Sequence, residues 1–258
     1  MLRQWRLIND GPGDPAWNMA VDEALLRLHD ERSLPVLRLY TWDPSALSLG
    51  YFQKTSGIRF DELRRLHIIP VRRISGGRAV LHFGDLTYSI TISGAGGIPF
   101  GTSAAYRYLC GGLLTAFTAL GVDAALGSER SGRHAPEACF ALSTHADIIF
   151  KGKKFVGSAQ KRIGASLLQH GSILLRPQEA ILARIFENGQ TRDKGTLSEK
   201  ITCLEHIVER PVEPDEVADA VAAGFAAAIN VEFLPDRLTM DEVLAARSLV
   251  YKYQANHK

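Results

Sequence analysis

The sequence predicts an α+β fold built on a mixed sheet. Segments of strand character concentrate before residue 176, and the last third reads as helix. The two kinds do not alternate regularly, as they would in a doubly wound α/β domain. The clearest strand signal lies at 86–93. There Leu86, Tyr88, Ile90 and Ile92 fall on one side, and Thr87, Ser89 and Thr91 on the other. This period-two pattern is that of a half-buried strand.

Residues 5–8 read as a short opening strand. Asp14-Pro15 marks a helix start, with Asp as N-cap and Pro in the first turn. Trp17, Ala20, Ala24, Leu25 and Leu28 supply the apolar stripe of that helix. Strands follow at 36–40 and 46–49, separated by a turn at Asp43-Pro44. A short helix at 60–67 leads to a strand at 69–73, and a further short apolar strand ends in His82. The span 103–120 is the strongest helix, closed by Gly121 at its C-terminal cap. Residues 148–150, 154–156 and 172–175 read as strands, the first two joined by a hairpin turn at Lys151-Gly152-Lys153. Helices are expected at 177–186, 214–229 and 240–253, with a polar, glycine-containing linker at 187–198. The expected organisation is one domain over 1–258, with 199–258 a mainly helical C-terminal extension.

Hydrophobic residues make up 46% of the 258 and charged residues 22%. That is enough apolar material for a sizeable core, and it excludes disorder for the bulk of the chain. A net charge of +2 is not the cationic excess that a general nucleic-acid binder concentrates. The N-terminal stretch lacks an apolar signal core. The longest uncharged run, 86–106, is interrupted by glycines and Pro99, whereas a membrane helix needs about 20 mostly apolar residues. Cys110, Cys139 and Cys203 cannot all pair, and free thiols fit a reducing compartment. A cytoplasmic protein with neither nucleic acid nor membrane as partner is expected.

Two stretches carry chemistry. In 71–82, VRRISGGRAVLH, two arginines lead into Ser75-Gly76-Gly77. Adjacent glycines let a backbone approach a ligand closely, and exposed N–H groups there bind an anion or a carbonyl oxygen. A tight turn between strands is the plainer reading. In 139–173, Cys139 sits in polar surroundings and is followed by Lys151, Lys153, Lys154, Lys161 and Arg162. Nearby cations lower a thiol pKa, but spacing does not say which of them reaches the sulfur. A solvated basic hairpin beside a chance cysteine is the alternative. Cys110 and Cys203 lie in apolar context and read as inert core thiols. The small run Gly157-Ser158-Ala159-Gln160, just after a strand, suits either a flat substrate surface or close packing. His134, Cys139 and His145 are five and six residues apart, unlike the short spacings of zinc sites, so no metal is expected. His82 and His170 flank the glycine-bearing loops, where each either polarises a substrate or satisfies a backbone group.

Together these residues resemble the biotin/lipoate protein ligase superfamily. Arg72-Arg73-x-Ser75-Gly76-Gly77-Arg78-x-Val80-x-His82 is similar to its signature RRxxGGxxVxH. Gly152-x-Lys154-x-x-Gly157-Ser158-Ala159-Gln160 is similar to its second signature, GxKxxGSAQ. The opening WRLINDGPGDPAWNMAVDEALL and the segment LSLGYFQ fit as well. The resemblance implies a class II synthetase/biotinyl–lipoyl protein ligase-like fold, a mixed sheet flanked by helices. Gly76-Gly77-Arg78, and Cys139 upstream of the lysine hairpin, look most like the octanoyltransferases of the superfamily. These move an octanoyl group from acyl carrier protein through a cysteine thioester to a lysine of a lipoyl-domain protein. The resemblance implies Cys139 as acyl acceptor and Lys154 as the residue that lowers its pKa. Arg73, Ser75, Gly76, Gly77, Arg78, His82, Gly157, Ser158, Ala159 and Gln160 would bind substrate. No cofactor is implied, since a thioester donor is already activated. The implied acceptor is the H protein of glycine cleavage. Arg72, Arg73 and Lys161 are candidates to steer an acidic carrier, with ordinary surface charge as the alternative. The rival activities are an ATP-dependent lipoate ligase, an H-protein-dependent amidotransferase and a non-catalytic lipoyl-domain binder.

Overall fold

The structure, a computed structural model, describes residues 3–127, 147–187 and 197–254. The chain opens with β1 (Arg3–Gly13), α1 (Pro15–Leu28), β2 (Val36–Trp42), β3 (Ala46–Leu49), α2 (Phe60–Arg65), β4 (Ile69–Arg72), β5 (Val80–His82) and β6 (Asp85–Ser93). It continues with α3 (Thr102–Ala119), β7 (Ala125–Leu126), β8 (Ile148–Phe150), β9 (Lys153–Ile163), β10 (Ser166–Leu174) and α4 (Glu179–Ile185). The last part holds α5 (Leu197–Lys200), α6 (Leu204–Val208), α7 (Pro214–Ile229), β11 (Val231–Pro235) and α8 (Met240–Gln254). Among the described residues, one sheet runs β11-β1-β2-β6-β10-β9-β8-β7 and a smaller one β4-β3-β5. The large sheet is mixed as expected: β1 is parallel to β2 and to β11, and the other pairs are antiparallel.

Local sequence explains several boundaries. The Asp14 carboxylate accepts from the amides of Ala16 and Trp17, and Pro15 follows in the first turn, as the sequence predicts. Lys151 and Gly152 both have positive φ, which makes the tight β8–β9 hairpin. Gly121 also has positive φ just past α3. Leu28, expected in the apolar stripe of α1, is exposed in its last turn.

The 86–93 strand departs from expectation. It is buried on both faces, including Thr87, Ser89 and Thr91. The reason is position: β6 is an interior strand between β2 and β10, with α1 over one face and α7 over the other. On the α3/α7 side the core gathers Leu37, Leu39, Tyr88, Ile90, Phe117 and Phe225. On the α1/α8 side it gathers Ile8, Met19, Val36, Leu168 and Tyr253.

The C-terminal segment joins the main sheet, since β11 extends it beside β1. Helix α7 lies tight against α3: a Cβ at Gly112 would stand 2.4 Å from Phe225, and one at Gly224 2.5 Å from the Gly112 oxygen. Helix α8 is tied to α1 through Glu23, whose buried carboxylate accepts from Lys252, Tyr253 and Arg27.

Candidate active site

The site is built where α1, β2 and β10 meet the small sheet. Arg38 on β2 is fully buried, and its guanidinium donates to Asp10 (2.6 Å), Asp22 (2.9 Å) and Asn18 (2.9 Å). Asp22 on α1 also accepts from the Tyr40 hydroxyl (2.9 Å) and pairs with His170 Nδ1 (3.0 Å). Burial alone would raise the Asp22 pKa. The bond to His170, the Arg38 charge and the Tyr40 hydroxyl together hold it below the usual carboxylate value instead.

His170 Nε2 lies 2.6 Å from Ser75 Oγ. A second chain repeats the pattern: His82 Nδ1 is 2.8 Å from Asp85, and its Nε2 is 2.8 Å from Ser48 Oγ. Asp85 is held in turn by Ser172 (2.6 Å), and the His82 ring stacks on Trp42 at 3.9 Å. Both chains end at one group, the buried guanidinium of Arg73. Its Nε donates to Ser75 Oγ (3.2 Å), and its Nη1 donates to the Ser48 carbonyl (2.9 Å) and Ser48 Oγ (3.4 Å). Each chain thus links Arg73 through a serine and a histidine to an aspartate. The serine hydroxyls are therefore committed to orientation. His82 is hydrogen-bonded to side chains through both ring nitrogens.

Arg73 shapes the glycine loop. Its Nη2 donates to the carbonyls of Gly76 and Arg78, both at 2.8 Å. Peptide planarity then aims the Gly77 N–H away from Arg73. Gly77 has φ +97°, which glycine adopts without strain. Gly50 must also be glycine, because a Cβ there would stand 1.8 Å from the Gly77 oxygen. Arg72 is likewise committed: it donates to the carbonyls of Gly50 (2.7 Å), Tyr51 (3.2 Å) and Gln53 (2.9 Å). Neither Arg72 nor the buried Arg73 is placed to steer a partner. Lys161, partly exposed beside the Tyr51 ring, remains so placed.

Two cavities meet at Gly77. The inner one, of about 50 Å³, is mostly apolar; Arg73, Gly77, His82, Gly157, Ser158 and Ala159 line it together with Met19, Trp42, His170 and Gly171. The outer one is a groove of about 450 Å³ lined by Phe52, Gln53, Lys54, Ser56, Gly76, Gly77 and Arg78. The structure thus gathers most of the expected binding residues at one place, with Ser75 behind the wall. Gly157 to Gln160 do not follow a strand but lie within β9, in register with Gln169 to Ser172 of β10. Gln160 is absent from both linings and donates to Gln169 (2.8 Å). Sequence reasoning missed Asp22, Arg38, Ser48, Asp85 and Gly171. Asp22 and Ser48 did lie in the quoted segments WRLINDGPGDPAWNMAVDEALL and LSLGYFQ, without being singled out; at Gly171 a Cβ would stand 2.6 Å from the Gly157 oxygen and from the Tyr88 ring.

Lys154 is buried on β9, outside both linings, and its ammonium pairs with Asp147 at 2.9 Å. Cys139 lies outside the described residues. Burial pushes the Cys110 thiol up to about 12, and it raises the Cys203 thiol as well. Among the described residues, no cluster of three His, Cys, Asp or Glu is placed to hold a metal, and no helix is long and apolar enough to cross a membrane.

This combination, a mixed sheet with an arginine-held glycine loop over an apolar cavity, defines a class. The sequence matches the lipoyl protein ligase A/B catalytic domain over residues 14–226, and the chain belongs to that family. The crystal structure of lipoate-protein ligase A bound with ATP superposes with a TM-score of 0.83 at 25% identity, covering 98% of this chain and 97% of that one. More particularly, the chain is similar to proteins named octanoyltransferase LipM. That of Kyrpidia tusciae is 38% identical, over 99% of this chain and 98% of the relative. Those of Bacillus subtilis (36%; 93% and 91%) and Staphylococcus aureus (33%; 99% and 98%) align along nearly their whole length too.

Proposed function

We propose that the chain is a protein N-octanoyltransferase of lipoate biosynthesis, taking octanoyl from acyl carrier protein and delivering it to a lysine of a lipoyl-domain protein. The observation that carries this reading is the apolar cavity opening at Gly77, on a chain similar along its whole length to octanoyltransferases. The Cys139 thiolate attacks the thioester carbonyl; the new C–S bond forms as the carrier's C–S bond breaks, and the carrier thiolate takes up a proton. The Gly77 N–H, turned away from Arg73, serves in this reading as the oxyanion donor, a role worth about 2.7–4 kcal/mol where such donors have been removed. The lysine amine then attacks the acyl-enzyme, an amide forms, and the departing Cys139 thiolate takes the amine proton. Lys154, whose ammonium lies 2.9 Å from the Asp147 carboxylate, acts as the cation for the thiolate. The family resemblance points to Cys139 as the acceptor, and burial, which raises the Cys110 and Cys203 thiols, suits neither of those to the role. The acceptor is a lipoyl-domain protein, with the glycine-cleavage H protein as the specific expectation.

The acyl chain lies in the inner cavity. Burying six methylenes favours binding by about 5 kcal/mol before ordering costs. At about 50 Å³ the cavity is smaller than the ~150 Å³ voids that hold benzene, so its wall must widen; unbranched Met19 is its most adaptable member. Intact-mass analysis tests the reading. After separate incubation with octanoyl-acyl carrier protein, octanoylated H protein, and octanoate plus ATP, only the first is expected to add one octanoyl group to the enzyme. An adduct from H protein alone points to amidotransfer, and turnover only with ATP points to a ligase.

A further inference from the structure

The inner cavity accounts for the acyl chain, but not for the groove on the far side of Gly77. That groove is large and open, and it shares Gly77 with the acyl cavity. A thioester whose carbonyl sits at Gly77 must send its alkyl chain inward and its thiol-bearing arm outward along this groove. Two cationic side chains line it, Lys54 and Arg78, and among the described residues no acidic one does. Glutamine, serine and the glycine backbone complete a wall suited to a chain of amides, and the ring of Phe52, 88% exposed, stands at it. We infer that the groove is a binding site for the phosphopantetheine arm of the acyl carrier, with Lys54 and Arg78 receiving its phosphate.

The inference rests on the proposed octanoyl transfer and adds a subsite to it. Arg78 is part of the first signature, but its neighbour Arg73 cannot share the task, since its guanidinium is spent on the loop carbonyls and the two serines. Lys54 belongs to neither signature. A phosphate accepts from ammonium and guanidinium alike, and such charge-assisted bonds are the stronger kind.

The test compares octanoyl-pantetheine with octanoyl-4′-phosphopantetheine as donors, for the wild type and for Lys54→Ala, Arg78→Ala and the double variant. The wild type is expected to favour the phosphorylated arm about tenfold in kcat/KM, the size of one charged hydrogen bond in each comparison. That ratio is expected to fall toward one in the double variant. Octanoyl-coenzyme A carries the same phosphate within a nucleotide; a Lys54 and Arg78 dependence equal to that of phosphopantetheine supports a subsite that reads the phosphate itself. A wild-type ratio near one, or a ratio that both substitutions leave intact, overturns the inference. Calorimetric binding of 4′-phosphopantetheine against pantetheine supplies a readout without turnover. Tighter binding of the phosphorylated arm, lost in the double variant, upholds the subsite even if no octanoyl moves and the transferase reading fails.

Discussion

Replacing Asp147 by asparagine keeps the size of the side chain and removes its charge. The pair it forms with Lys154 spans 2.9 Å, with side chains only 2% and 3% exposed. At that separation two unit charges attract by roughly 6 kcal/mol at an effective dielectric of about 20. Neutralising one partner of a buried pair typically costs about 3–5 kcal/mol, because the other charge stays behind uncompensated. The amide oxygen still accepts from the ammonium, so Asp147→Asn is expected near the low end, at about 3 kcal/mol. In urea this moves the midpoint down by about 1 M, for a slope near 3 kcal/mol/M. Alkylation of Cys139 followed against pH gives the second readout: with the Lys154 cation no longer anchored, the profile shifts to higher pH. Asp147→Glu should restore part of both, and Lys154→Met with Asp147→Leu should recover stability without transfer activity, since the cation is gone. An Asp147→Asn protein within about 0.5 kcal/mol of the wild type, the scatter of neutral surface changes, with an unmoved alkylation profile, would show that this carboxylate does not hold the ammonium.

Other outcomes follow from the same geometry. Cys139→Ser should abolish the octanoyl mass shift on incubation with octanoyl-acyl carrier protein; an unchanged covalent adduct refutes the nucleophile. Gly50→Ala should lower the melting temperature and cut transfer sharply, because its Cβ meets a backbone oxygen at 1.8 Å and the loop must move; a normal kcat would mean that the loop position does not matter. Asp22, held below the ordinary value of 3.8, contributes stability that is present above that value and lost as pH falls through the lower folded-state value. Urea unfolding should therefore weaken below about pH 4, and Asp22→Asn should flatten that acid slope.

The local signals were legible because their causes are local. Asp14-Pro15 capped a helix, Lys151-Gly152 turned a hairpin, and the two signatures located the loop and strand that line the cavity. Alternation in 86–93 identified a strand but not its surroundings. Whether Thr87, Ser89 and Thr91 meet water depends on the helices packed over the sheet, which period two does not encode. β11 was missed for a related reason: five residues after a helix become a strand through pairing with β1, more than two hundred residues away.

What the sequence determined by itself was the set of groups and their local conformations: the glycines, the capped helices, the cationic hairpin and the polar context of Cys139. The tertiary structure alone decided which of the described groups meet. Arg72 and Arg73 read in sequence as candidates to steer an acidic carrier, with surface charge as the alternative, and the fold turns both guanidiniums onto backbone carbonyls. Asp22 is an ordinary helical residue in sequence, yet it meets His170 at a separation of 148 residues, and Arg38 and Tyr40 besides. Burial raises the cost of an unpaired charge, so each such group finds its partner wherever packing brings one, however distant along the chain.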